Sequence, residues 1–98
     1  MYIVRDTFYL EFGHFRHVKL LLDEAYEKKL FPDIEKDRIL SDFTGPSYRM
    51  IFESPFETLA DYEKMLTTGM SNPAWQEWYN RLKSHVRSSE REILKVVR

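Results

Sequence analysis

The sequence predicts an α+β fold, a four-stranded antiparallel sheet with its helices packed on one face. Three observations carry this. Apolar residues alternate with period two from Tyr2, change to a helical period after Gly13, and return to period two around Tyr48. Two helix starts led by Pro55 and Pro73 follow one another in the second half. The run "EILKVVR" then closes the chain as a strand. The resulting order, βαββααβ, is the split βαβ arrangement of a ferredoxin-like sandwich.

Each element follows from local chemistry. Tyr2, Val4, Phe8, Leu10 and Phe12 share one face of the first strand, with Asp6 as an exception, and Ile3, Arg5, Thr7, Tyr9 and Glu11 share the other. From about His14 to Leu30, a helical stripe runs through Phe15, Val18, Leu21, Leu22, Ala25 and Tyr26, and Pro32 closes that helix. Ile34 to Phe43 reads as a second, more charged strand, and Thr44–Ser47 as a turn. In the third strand Tyr48, Met50 and Phe52 alternate against Arg49, Ile51 and Glu53.

Ser54, Pro55 and Glu57 have the spacing of a capping box, so a helix is expected to start there, to bury Leu59, Tyr62, Met65 and Leu66, and to end near Gly69. Asn72 caps the next helix, with Pro73 in its first position. Trp75, Trp78, Tyr79, Leu82 and Val86 then fall on one helix face. That spacing makes the two tryptophans core residues first and a ligand box second. The last strand is expected over Glu92–Arg98.

The 98 residues suffice for one domain, 1–98. Hydrophobic residues at 43% and charged residues at 32% are ordinary for a globular chain, whereas aromatics at 15% are abundant. A net charge of −1 offers no basic field for nucleic acid. The absence of cysteine excludes disulfides, thiol catalysis and Cys-ligated zinc. No leader and no membrane-spanning run is read, so membrane insertion is not expected and the expected location is cytoplasmic.

The sheet face away from the helices carries a mixture of charged and apolar residues. It is too apolar for plain solvent and too polar for a dry core, so two copies packed sheet to sheet are expected to cover it.

The βαββαβ order, the passage "FESPFETLADYEKML" and the ending "NPAWQEWYNRLKSHVRSSEREIL" resemble the dimeric α+β barrel superfamily, and within it NIPSNAP-type domains. The resemblance covers nearly the whole chain. It implies a homodimer whose sheets form a barrel-like cleft. Relatives of this kind include cofactor-free quinone-forming monooxygenases, haem-degrading monooxygenases and members of unknown activity. The haem-degrading members use an Asn on the first strand with a Trp and a His. Here Asn occurs only at Asn72 and Asn80, so that set is not carried over to Trp75 and His85.

Candidate chemistry is sparse. His14 and His17 stand three apart, a spacing found in metal sites, but a site needs a third ligand and His85 comes from another helix. No metal site and no cofactor is expected, and His14 and His17 read as exposed or capping residues. Arg5, Tyr9, Arg49 and Glu53 are the candidate ligand-binding residues. They fall on neighbouring strands, where Arg could hold an anionic oxygen and Tyr9 could donate a hydrogen bond. Their other reading is an ion-pair ladder between strands or a set of dimer-interface salt bridges. Of the four, Arg49 is expected to point into the cleft, near Arg5, Tyr9 or Glu53.

The expected function is that of a small homodimer binding a small aromatic or apolar ligand in a cleft between sheet and helices. The alternatives are a cofactor-independent monooxygenase or isomerase of the antibiotic-biosynthesis type, a haem-handling member, and a subunit of a larger assembly.

Overall fold

The computed structural model describes residues 1–31 and 34–98. The chain forms strand β1 (Tyr2–Leu10), helix α1 (Phe15–Glu27), a single 3₁₀ turn (Ile34–Lys36), strands β2 (Arg38–Ser41) and β3 (Arg49–Phe56), helices α2 (Leu59–Gly69) and α3 (Pro73–Lys83), and strand β4 (Val86–Lys95). The four strands make one antiparallel sheet in the order β2-β3-β1-β4, the expected ferredoxin-like topology.

Alternation along β1 decides the two faces. Val4 and Leu10 are buried on the helix-covered side, with Phe8 packed against the same core. Gly13, at φ +80°, makes the turn into α1, a backbone angle that costs glycine little. The core joins Leu10, Val18, Leu22, Ala25, Leu30, Met50, Trp78 and Leu82. Trp78, the largest fully buried side chain, also donates its indole N–H to the Leu21 carbonyl at 2.7 Å, which ties α3 to α1.

Four boundaries differ from the sequence reading. The expected strand over Ile34–Phe43 shrinks to Arg38–Ser41, preceded by the 3₁₀ turn. The helix after β1 ends at Glu27, and the expected stop at Pro32 lies outside the described residues.

The capping box at Ser54 does not form. Ser54, Pro55 and Phe56 extend β3 and pair with Val4, Ile3 and Tyr2. Because β2 begins at Arg38, opposite Glu53, Pro55 has a strand neighbour on one side only, where a missing N–H is tolerated. The cap moves to Thr58, whose hydroxyl accepts from the Asp61 N–H at 3.1 Å.

The last strand starts at Val86 instead of Glu92. "VRSSER" is polar, but it pairs along β1 as far as Leu10, and cross-strand pairing overrides its weak intrinsic preference. Asn72 caps α3 as expected, accepting from the Ala74 N–H at 2.9 Å.

Candidate functional site: an aromatic cavity between sheet and helices

On the helix-covered face, β1 contributes Asp6 and Phe8, β3 contributes Phe52 and Ser54, and β4 contributes Arg91. The helices close over them with Met65 and Gly69 from α2, Met70 after it, and Trp75, Trp78, Tyr79 and Leu82 from α3. Phe31 completes the wall. The half-open cavity measures about 270 Å³. A hollow of about 540 Å³ adjoins it, sharing Phe31, Ser54 and Met65 and edged by Lys36, Asp61 and Lys64.

The aromatic walls are held by their own contacts. Phe8 meets Phe52 edge to face at 5.4 Å, and Phe31 meets Trp78 edge to face at 5.0 Å. Trp75 and Tyr79, one turn apart on α3, stack at 4.9 Å. Trp78 is part of the core, while Trp75 and Tyr79 are only half-buried. The α3 stripe therefore serves as core and as cavity wall at once.

One end of the cavity is polar. Register places Asp6 opposite Arg91, and Arg91 Nε donates to Asp6 Oδ1 at 2.6 Å. The Arg91 guanidinium lies 5.9 Å from the centre of the Tyr62 ring. The buried Tyr62 hydroxyl has no hydrogen-bond partner among the described residues. Burial raises its pKa above the usual value; Arg91 pulls against that shift and Asp6 adds to it. For Arg91 the largest single influence is burial, which lowers its pKa, but the bond to Asp6, the Asp6 charge and the nearby Tyr62 and Tyr79 together outweigh it and hold the guanidinium firmly charged. A buried hydroxyl without a partner carries a desolvation cost that an acceptor atom would remove.

The four residues singled out in the sequence lie on the opposite face of the sheet, not in this cavity. Arg5 and Glu53 stand opposite each other there. Glu53 Oε2 accepts from Arg5 Nε at 2.8 Å, and its Oε1 is 2.5 Å from Arg38 Nη2. With Glu92, 3.9 Å from Arg5, they make a row of alternating charge across all four strands. The Arg38 hydrogen bond, opposed by burial and reinforced by Arg5, holds the Glu53 carboxyl below its ordinary range.

Arg49 stands opposite Tyr9 on β1. Its guanidinium is held by Asp42, with Nε and Nη2 at 3.0 and 2.7 Å from Oδ1, and so clasps the loop before β3. Arg5 and Glu53 line a hollow of about 270 Å³ with Ile3, Arg38 and Leu94, whereas Arg49 lines a different one of about 420 Å³ with Asp42 and Tyr48. The four therefore do not converge on one point.

Sequence reasoning missed Arg91 and Phe31 as site residues. One signal was present, the single acid, Asp6, on an otherwise apolar strand face, which requires a partner. All three histidines do meet at one corner, yet among the described residues no group of three or more His, Asp or Glu side chains is arranged to hold a metal ion. Among the same residues no helix is long and apolar enough to cross a membrane.

Neither the models of known protein families nor the curated proteins yield a match to this sequence. Solved structures do. A NIPSNAP family protein of unknown function from Agrobacterium tumefaciens superposes with a TM-score of 0.89 at 16% identity, over 100% of this chain and 89% of that one. An uncharacterised NIPSNAP-like domain protein from Burkholderia xenovorans gives 0.88 at 14% identity, over 98% of this chain and 84% of that one. An antibiotic biosynthesis monooxygenase gives 0.72 at 14% identity, over the full length of both chains. At such identities the likeness speaks for the fold: this chain has the α+β fold shared by NIPSNAP-family proteins and antibiotic biosynthesis monooxygenases.

Proposed function

We propose that this protein is a small ligand-binding homodimer that takes a small aromatic or apolar molecule into the cavity between its sheet and helices α2 and α3. The observation that carries the reading is a cavity walled by Phe8, Phe31, Phe52, Trp75 and Tyr79 with one polar end at Asp6 and Arg91. Small-molecule sites have this composition, apolar walls and a few placed polar groups. Calorimetric titration with 2-naphthol tests it. Binding should weaken about tenfold or more in Trp75→Ala and in Arg91→Met, the range of loss expected for residues that anchor a ligand. Arg5→Ala should leave it unchanged. Equal binding by all three variants and wild type would remove the cavity as the site.

The face bearing Arg5, Tyr9, Arg49 and Glu53 is assigned to the dimer. Its row of alternating charge can complement its own two-fold copy, and Leu40 and Leu94 are exposed beside it. Sedimentation at micromolar concentration should give twice the chain mass, and Leu40→Glu with Leu94→Glu should halve it. The alternative employment of these four residues is a ligand site in the cleft between the two sheets, which the same Arg5→Ala titration decides. The proposed location is cytoplasmic.

A second reading, a cofactor-independent monooxygenase or isomerase, is favoured by the Arg91 guanidinium at the polar end of the cavity, since a donor so placed can hold a developing oxyanion. Oxygen uptake with a hydroquinone substrate separates the two readings.

A further inference from the structure

The three histidines of the chain meet at one corner. His14 holds the N-cap position of α1, His17 lies in its first turn, and His85 sits in the turn between α3 and β4. Nδ1 of His14 and Nδ1 of His85 are 3.0 Å apart. The His17 ring lies parallel to that of His85, 9° out of plane at 5.4 Å, and 5.7 Å from that of His14. The backbone joins the same three stretches, because the Glu11 N–H donates to the His85 carbonyl at 2.9 Å and the His14 N–H to the Glu11 carbonyl at 3.0 Å.

A contact of this kind between two imidazoles is a hydrogen bond only while one nitrogen carries a proton and the other a lone pair. One proton on the pair is tolerated; a second puts two cations in contact. We infer that the His14–His85 pair, with His17 stacked on it, is an acid-sensitive latch that fastens the start of α1 to the α3–β4 turn and opens when both rings become charged.

The surroundings favour that behaviour. On α1, Arg16 is exposed and Lys19 is engaged by Asp23. On α3, Arg81 is held by Glu24 and Lys83 lies over the Tyr79 ring. Arg87 on β4 and Glu11 before α1 are exposed. None of these acids is bonded to a His ring. Burial first, then His14 and His17, lowers the pKa of His85 from its ordinary 6.5.

Hydrogen exchange on the wild-type chain, corrected for intrinsic rates, tests the latch. Between about pH 8 and about pH 5, where histidine changes charge, protection of amides 11–15 and 84–87 should fall about tenfold or more, the effect of one pKa unit. The central strands should keep theirs. His85→Asn, which cannot charge, should abolish the pH dependence in both segments. Unchanged protection in the wild type, or the same dependence in His85→Asn, overturns the inference. Should that variant fold poorly, imidazole titration by NMR in the wild type decides. Coupled curves with one midpoint below 6.5 support the latch, and three independent ordinary curves overturn it.

Discussion

Asp6 and Arg91 face each other across β1 and β4, joined at 2.6 Å on the one sheet face that otherwise buries apolar side chains. The pair gives the cavity its polar end. Removing one partner leaves the other charged against apolar walls. Asp6→Ala should destabilise the chain by about 0.5–1.5 kcal/mol, the scale of a single hydrogen bond, because Arg91 keeps 45% of its side chain in water. Asp6→Asn, which retains an acceptor, should lose less. Urea unfolding measures both, and wild-type stability in Asp6→Ala would show the pair to be idle.

The two tryptophans should separate by role. Trp78 is 1% exposed and hydrogen-bonded to Leu21, so Trp78→Ala should cost about 3–5 kcal/mol. Trp75 is half-buried at the cavity wall, and Trp75→Ala should cost less than half as much. Thermal unfolding compares them. Equal losses would place Trp75 in the core alone and take it out of the ligand wall.

Acid should weaken the open-face charge row first through Glu53. Its folded pKa lies below the ordinary 4.5, mainly through Arg38 and then Arg5, with burial opposing. The unfolded chain therefore takes up the proton at higher pH. The stability that Glu53 contributes is full above about pH 4.5 and is lost as pH falls through the lower folded value. Glu53→Gln should flatten the urea midpoint against pH in that acid window. A wild type and variant that fall in parallel would contradict it.

Most of the fold was legible because most of it is written in local period. The alternation in Tyr2–Leu10, the stripe around Val18 and Leu22, and the Asn72–Pro73 cap each specify their element without help from distant residues. The errors arose where pairing partners decide. Ser54-Pro55-Phe56-Glu57 carries a valid helix-start signature, yet β1 offers Ile3 and Tyr2 as partners, so the segment becomes strand and the cap passes to Thr58. Likewise β4 begins at Val86 because β1 is long enough to pair with it, and this brings Arg91 into register with Asp6. The candidate site was illegible for the same reason: half of its polar end sits on residues whose own sequence reads as loop.

The relocated cap can be measured. Thr58→Ala should cost about 1 kcal/mol through the lost hydroxyl acceptor. Ser54→Ala should leave helix α2 unaffected, because Ser54 is a strand residue. The reverse ranking in urea unfolding would restore the helix start at Ser54.

A crystal structure of the protein soaked with 2-naphthol tests the ligand site most directly. The ring should lie between Phe8, Phe52 and Trp75, with its hydroxyl at the Asp6 and Arg91 end. An empty cavity at saturating probe, or density only against Arg5 and Glu53 on the open face, would contradict it.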